Sequence, residues 1–322
     1  MGMTPKENML ATLNHQPHDR IPNYLTDVVN GGFGFGNGPA FEKGPEGGGM
    51  DGFGVNWVCP ATGGGAPIPE PGKFQLDSET IVDWKKIVKF PDVNSCDWEA
   101  QAKMELSRGN RDIQVVDFGS GNGPFERLAA LMSIALEPEA TADLLNAIVD
   151  YKIKVIEKAH EFYHPDLFTN YDDIATEQCP FMSRKAYQEI IKPAHKRIYD
   201  AAKAYDMIPV QHTCGKAESL VEDMIEIGVK AWTSVQPTNN IEKILQVYGD
   251  KLCIIGGYDT SGLPGRPDAS PEVIKKEVVR DFEVYGKYSS YIFFGFLLEN
   301  SLDPEQRQKR IQPLIEAAMD FQ

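Results

Sequence analysis

Residues 207–215 read Met-Ile-Pro-Val-Gln-His-Thr-Cys-Gly, a short apolar run that ends in a His-x-Cys-Gly sequence. The apolar part predicts a β-strand, and the residues after Gly215 have the pattern of a helix. Because side chains alternate along a strand, Val210, His212 and Cys214 are expected to face the same side. An imidazole beside a thiolate makes half of a zinc site, and the alternative is a buried histidine next to an unrelated buried cysteine.

The same succession of strand and helix repeats along the chain. Strands are predicted at residues 21–29, 114–119, 167–171, 207–214, 231–235, 252–255 and 291–298, and helices at 99–107, 138–164, 183–205, 217–227, 241–248, 271–285 and 304–321. This alternation indicates βαβ units on a parallel sheet. With a capped helix that starts at Thr4, the count is about eight strand–helix pairs, which predicts an α/β fold of the (β/α)8 TIM-barrel type. An open doubly wound sheet is the alternative, and residues 1–322 are expected to form a single domain.

The segment 31–76 does not follow this pattern, because it is dense in glycine and proline and has no periodicity. Such a long excursion is typical of a functional lid or of a flexible linker. It contains an aromatic–apolar stretch at residues 51–57 (DGFGVNW), which favours an ordered lid after the first strand. Phe53 and Trp57 are therefore predicted to cover a bound substrate, with packing inside the lid as the alternative.

Composition excludes several classes of function. The formal net charge is −15 without any basic block, whereas nucleic-acid binding needs clustered lysine and arginine. Five widely spaced cysteines fit a reducing compartment better than a disulfide framework. The first twenty residues are polar, and no apolar run reaches membrane-spanning length. We expect a cytoplasmic protein that binds neither nucleic acid nor membrane.

Polar residues cluster where the predicted strands end, which is where (β/α)8 barrels carry their chemistry. They are Asp117, Asp172, Asp173, His212, Cys214, Gln236, Asp259 and Glu299. Convergence of these groups on one barrel mouth favours a metal site at His212 and Cys214. Glu299 follows the last strand, next to the first in a closed barrel, and is predicted as a third ligand; capping of the final helix is its alternative role.

Several motifs together resemble the uroporphyrinogen decarboxylase-like superfamily. They are residues 4–9 (TPKENM), 19–22 (DRIP), 51–57 (DGFGVNW), 180–183 (PFMS), 212–215 (HTCG) and 256–259 (GGYD). The resemblance extends over most of the chain and implies a (β/α)8 barrel. Decarboxylases of this superfamily hold the substrate's carboxylates with an arginine-rich N-terminal motif, but Arg20 is the only arginine before Arg108.

The chain is more similar to the corrinoid-dependent methyltransferase branch, whose zinc site uses a His-x-Cys pair like His212 and Cys214. Many members add a late cysteine, and residues 294–299 (FGFLLE) contain none. Residues 256–267 and the glycine-rich lid resemble the methyltransferases of anaerobic O-demethylase systems. This resemblance implies transfer of a methyl group from a methoxylated aromatic compound to the Co(I) corrinoid of a partner protein, with zinc as the Lewis acid.

The residues are assigned to roles as follows. Zinc ligands are His212, Cys214 and Glu299; catalytic residues are Asp172, Tyr258 and Asp259; substrate-binding residues are Asn23, Asp117, Phe53, Trp57 and Gln236. The expected partners are a corrinoid-binding protein and a small aromatic methyl ether, and a homodimer is one option for the assembly. The alternatives are a methylcorrinoid:thiol methyltransferase, a decarboxylase and a non-catalytic binding module.

Overall fold

The computed structural model describes residues 2–32, 48–58, 68–120, 136–297 and 304–321. Its main sheet has seven parallel strands, and each lies beside the next one in chain order. They are β1 (Val28–Gly32), β5 (Val115–Ser120), β6 (Leu167–Tyr171), β7 (Ile208–His212), β8 (Ala231–Val235), β9 (Cys253–Gly257) and β10 (Tyr291–Phe294). A small antiparallel sheet contains β2 (Gly49–Met50), β3 (Asn56–Val58) and β4 (Ile68–Pro69).

Helices follow the strands of the main sheet, which confirms the predicted α/β class. They are α1 (Pro5–Leu13), α2 (Tyr24–Asp27), α3 (Trp84–Ile87), α4 (Trp98–Leu106), α5 (Pro138–Tyr163), α6 (Arg184–Ala186), α7 (Lys192–Ala204), α8 (Val221–Glu226), α9 (Ile241–Tyr248), α10 (Pro271–Tyr285) and α11 (Pro304–Met319). Short 3₁₀ helices lie at Ile81–Asp83, Val93–Ser95, Glu218–Leu220 and Leu263–Gly265, and a π-helical turn spans Tyr187–Ile191. None of the helices in these described ranges is long and apolar enough to cross a membrane.

Two separate groups of buried apolar side chains cover the two faces of the main sheet. Phe118 and Trp232 belong to the group that packs against the surrounding helices. Val115 and Leu167 point to the opposite face and form a second group with Leu13 of α1. Successive side chains of a strand point to opposite faces, so a parallel sheet with both faces covered needs apolar residues at both sets of positions. The sheet thus curls around its own core in a TIM-barrel-like arrangement, and α1 covers the end at which the strands begin.

The chain enters the first strand differently from the prediction of one strand over residues 21–29. Asn23 forms a single bridge with Phe293 of β10, and the chain then makes the helical turn α2 before β1 begins. The Asn23 side chain accepts a hydrogen bond from the backbone N–H of Leu25 (3.0 Å), and the Asp27 carboxylate accepts one from the N–H of Asn23 (2.9 Å). This local capping overrides the strand propensity. The predicted strand bounds are therefore wrong.

The described parts of the excursion are ordered around one aspartate. Asp51 accepts hydrogen bonds from the backbone N–H groups of Phe53 and Val55 and from the Trp57 indole, at 2.8–2.9 Å. The Phe53 ring packs edge-on against Tyr151 of α5. The ordered stretch at residues 51–57 is thus confirmed, whereas its role as a lid stays a prediction.

Truncating a side chain of α1 that lies in the inner core should have a large effect on the stability of the protein. Leu13 is fully buried, so Leu13→Ala should lower the free energy of unfolding by about 2–5 kcal/mol through lost burial and the cavity left behind. Leu263→Ala is the matched control, because that side chain is 55% exposed. Urea denaturation of both variants measures the difference, and equal stabilities would contradict this account of the inner core.

Candidate metal centre

The centre is built on the carboxyl end of β7. His212 is the last residue of this strand and Cys214 follows two positions later, so both side chains face the same side, as predicted. The Cys214 Sγ lies 3.7 Å from the His212 Nε2. The chain turns at Gly215, where φ is +80° and a Cβ would lie 2.4 Å from the Thr176 carbonyl oxygen. Glycine is therefore needed for the close approach of the loop after β6.

That loop supplies a third ligand-type group, Asp173. Potential ligand atoms of Asp173, His212 and Cys214 all lie within 4.8 Å of one another, and within the described ranges this is the only such group of three or more histidines, cysteines or acids. The Asp173 Oδ1 also accepts a hydrogen bond from the backbone N–H of Cys214 at 2.7 Å. A carboxylate, an imidazole and a thiol thus converge at the ends of two adjacent strands.

The surroundings of His212 keep its imidazole in the unprotonated form. Burial lowers the pKa of His212, while the negative charge of Asp173 acts in the opposite direction. The imidazole is therefore neutral near pH 7, the form in which its nitrogen can coordinate a metal. The residues present form a chemically suitable donor set for a borderline-soft divalent metal ion.

The predicted third ligand, Glu299, lies outside the described residues, so its role stays a prediction. Sequence reasoning identified Asp172 and Asp173 as acids at the end of β6 but did not select Asp173 as a ligand. The parallel register decides between the two acids, because Tyr171 pairs with His212 and Asp173 then lies beside Cys214. The sequence did contain one signal for Asp173 as a ligand. Asp173 lies two residues beyond the end of β6, just as Cys214 lies two residues beyond the end of β7.

The side chain of Asp172 contacts a helix instead of the metal centre. Its Oδ2 lies 2.8 Å from the Nε2 of the buried His195 on α7, and the other ring nitrogen lies 3.3 Å from the Tyr187 hydroxyl. A carboxylate only accepts hydrogen bonds, so Nε2 donates to Asp172; in the neutral tautomer with its proton on Nε2, Nδ1 accepts from Tyr187. The predicted catalytic role of Asp172 stays a prediction. These contacts show that Asp172, the neighbour of Asp173 in sequence, is held by His195.

A second polar group lies on the inner face of the sheet, beside the His212 ring. The Tyr171 ring lies against the His212 ring at an angle of 30°, with ring centroids 4.3 Å apart, and its hydroxyl is hydrogen-bonded to Tyr24. Tyr24 donates to the Oδ2 of Asp117, as does Thr169 at 2.6 Å. Asp117 was predicted to bind substrate, whereas the hydroxyl residues around it were missed because their positions inside strands or α2 carry no distinctive motif.

The other predicted site residues organise loops near the strand ends. The Tyr258 hydroxyl donates to the Pro264 carbonyl (3.1 Å), and Asp259 accepts a hydrogen bond from the N–H of Gly262 (2.8 Å). Gln236 accepts one from the N–H of Gly215 (2.7 Å), which links the loop after β8 to the turn at the metal centre. Phe53 and Trp57 are buried in the excursion, and Asn23 caps α2, so their predicted contacts with substrate remain untested.

Comparisons with known proteins identify the family of this chain and its fold. The family described as "Uroporphyrinogen decarboxylase (URO-D)" matches residues 118–317. The chain belongs to the uroporphyrinogen decarboxylase family. No similar sequence was found among curated proteins.

Among solved structures, a methyltransferase from Methanosarcina mazei is similar to this URO-D family chain over 99% of both chains, with 14% sequence identity and a TM-score of 0.68. At this identity the similarity shows a shared fold. A D-psicose 3-epimerase from Clostridium cellulolyticum H10 is similar over 69% of this chain and 84% of its own, with 10% identity and a TM-score of 0.43.

The thiol of Cys214 gives the centre a spectroscopic signature. Co²⁺ added to metal-free protein should bind at about one ion per chain and produce a thiolate-to-cobalt charge-transfer band. Cys214→Ser should lose this band because its hydroxyl cannot supply the sulfur, whereas Cys179→Ser, which changes an exposed thiol, should keep it. A band that survives in Cys214→Ser would place the cobalt elsewhere.

The contact between His195 and Asp172 predicts an indirect effect on metal affinity. His195→Ala should weaken metal binding by about ten- to a hundredfold, because the loop that carries Asp173 loses a support. His195→Gln should restore much of the affinity, since its amide can donate to Asp172. Titration against a chromophoric chelator measures the affinity and thermal melting measures stability; unchanged metal affinity in His195→Ala would show that this support is not needed.

Proposed function

We propose that this protein is a zinc-dependent methyltransferase that moves a methyl group from a methoxylated aromatic compound to the Co(I) corrinoid of a partner protein. The methyl carbon–oxygen bond breaks, its electron pair stays on oxygen, and the methyl group passes to the corrinoid. The URO-D family membership and the predicted similarity to the corrinoid-dependent branch support this reaction class. The observation that carries the proposal is the convergence of Asp173, His212 and Cys214.

The geometry of this donor pair suits zinc. Bonds of about 2.3 Å to sulfur and 2.0 Å to nitrogen at a tetrahedral angle place the two ligand atoms about 3.5 Å apart. The separation between Cys214 Sγ and His212 Nε2 is 3.7 Å. Asp173 would complete three protein ligands, the usual number in catalytic zinc sites, which keep one position for water or substrate.

The charges of the three ligands favour a fourth coordination position that is open to substrate. A thiolate and a carboxylate together offset the two positive charges of Zn²⁺, while the neutral His212 adds none. A further carboxylate from Glu299 would make the centre negative and weaken its attraction for an ether oxygen. We therefore propose that Asp173, His212 and Cys214 would hold the metal, and Glu299 stays a predicted additional ligand.

When bound, zinc supplies a Lewis acid that polarises the ether oxygen and stabilises the developing phenolate. The chain holds the ligands: the contact from His195 fixes Asp172 next to Asp173, and Gln236 fixes Gly215 next to Cys214. Tyr258 and Asp259 shape the neighbouring loop after β9. We further propose that the sheet closes into a (β/α)8 barrel, with the excursion as a lid whose aromatic residues exclude water.

The assay needs neither the natural partner nor the natural substrate. Free cob(I)alamin and an excess of a methoxyphenol should yield methylcobalamin with the zinc-loaded protein, as measured by absorbance. Asp173→Asn and Cys214→Ser should each reduce the rate by at least about 100-fold, because loss of a ligand should exceed the effect of changing a supporting residue. Glu177→Gln, which changes an exposed acid four residues from Asp173, is the control. No methylcobalamin from any methoxyarene tested would refute the proposal.

Decarboxylation is the second candidate, since the family takes its name from that reaction. The single arginine of the N-terminal region, Arg20, donates to the Asp27 carboxylate at 2.9 Å and is thereby partly neutralised. A substrate with several carboxylates would find little positive charge there, which disfavours this reaction. Release of carbon dioxide from uroporphyrinogen without added metal would support it, and methyl transfer from methylcobalamin to a thiol would instead support the reverse type of methyltransferase.

A further inference from the structure

Asp117 has one carboxylate oxygen that the fold does not use. The residue lies on β5, is 1% exposed, and follows Val115 of the inner core by two positions, so both side chains face the inner side of the sheet. Tyr24 and Thr169 both donate to Oδ2. Oδ1 is buried and has no hydrogen-bond partner within the part of the chain that the structure describes.

A buried oxygen without a partner is unfavourable, and native proteins rarely leave one unpaired without a ligand or water in contact with it. Burial raises the pKa of Asp117, whereas the hydrogen bonds from Thr169 and Tyr24 oppose that shift. The asymmetry is the informative feature, because two donors converge on Oδ2 while Oδ1 is buried without a partner among the described residues. Oδ1 is thus left as an acceptor for a donor that comes from outside the chain.

The side chains between Asp117 and the metal centre indicate the length of such a ligand. The Tyr171 ring lies against His212, and the hydroxyl at the far end of that ring meets Tyr24, which bonds Asp117. One aromatic ring and its para hydroxyl therefore bridge from the metal ligand to the neighbourhood of Asp117. A substrate ring lying alongside Tyr171 would have the same reach.

We propose that Asp117 is a specificity-determining residue whose Oδ1 accepts a hydrogen bond from a hydroxyl group para to the reacting methoxyl. The inference rests on the proposed function and adds a substrate class to it, the 4-methoxyphenols. Tyr24 and Thr169 act as positioning residues, because their hydroxyls hold Oδ2 and thereby fix the position of Oδ1.

Three substrates that share the reacting group separate the possibilities. 4-Methoxyphenol offers a donor to Oδ1, 1,4-dimethoxybenzene offers only an acceptor, and methoxybenzene offers neither. The wild-type kcat/KM, measured with cob(I)alamin, should favour 4-methoxyphenol by at least about tenfold over both others, because a site built for a hydroxyl disfavours analogues without one. The isomers 2- and 3-methoxyphenol should fall between, since their hydroxyls are closer to the methoxyl.

Asp117→Asn is the decisive variant. The two hydroxyl donors should hold the amide oxygen at the former Oδ2 position, which places the amide N–H₂ where Oδ1 was. This change turns an acceptor into a donor, so the preference should shift from 4-methoxyphenol towards 1,4-dimethoxybenzene. Asp281→Asn is the matched control: Asp281 is also fully buried but lies on α10 in an ion pair with Arg280, and its replacement should leave the preference unchanged.

The outcomes distinguish this inference from the proposed function. Turnover without discrimination, or a preference that Asp117→Asn leaves unchanged, would overturn the role of Asp117 while methyl transfer stands. No turnover at all would overturn methyl transfer, and calorimetric titration with 4-methoxyphenol then tests the subsite directly. Wild-type binding at least about tenfold tighter than that of Asp117→Asn supports the subsite, and equal binding refutes it. Metal content and melting temperature verify that the variants are folded.

Discussion

The parallel register between β6 and β7 is the constraint on which the candidate centre depends. Tyr171 pairs with His212, and the two segments that follow these strands remain hydrogen-bonded to each other. The backbone N–H of Asp172 donates to the His212 carbonyl at 3.1 Å, and the N–H of Cys214 donates to the Asp173 carboxylate at 2.7 Å. A shift by one residue in β7 would turn both ligand side chains towards the helices, because side chains alternate along a strand.

The two faces of the sheet carry different kinds of polar contact around this register. On the inner face, hydroxyl groups surround Asp117 and connect it through Tyr171 to His212. On the helix face, His195 holds Asp172 and the Tyr199 hydroxyl donates to Gln211. Because side chains alternate, the ligands point inward at the strand ends, while the neighbouring residues Asp172 and Gln211 are held from the helix side.

Much of the architecture could be predicted because it depends on local patterns. The capped helix at Thr4, the long helix α5 and the succession of strands and helices in the second half are all present as the sequence indicates. The entry to the first strand was not predictable from strand propensity, because Asn23 and Asp27 stabilise a helical turn through side-chain hydrogen bonds. The sequence also could not show which of Asp172 and Asp173 is the ligand, since adjacent acids look equivalent until the partner of each is known.

The sequence by itself determined the α/β class and placed His212 and Cys214 on one side of a strand end, since both follow from periodicities of a few residues. The tertiary structure decided which acid joins them, because Asp173 reaches Cys214 only through the pairing of two strands that are distant in sequence. It also decided the surroundings of Asp117, where Tyr24 and Thr169 come from separate elements to one carboxylate oxygen. Contacts of this kind depend on strand order and register, which no local pattern encodes.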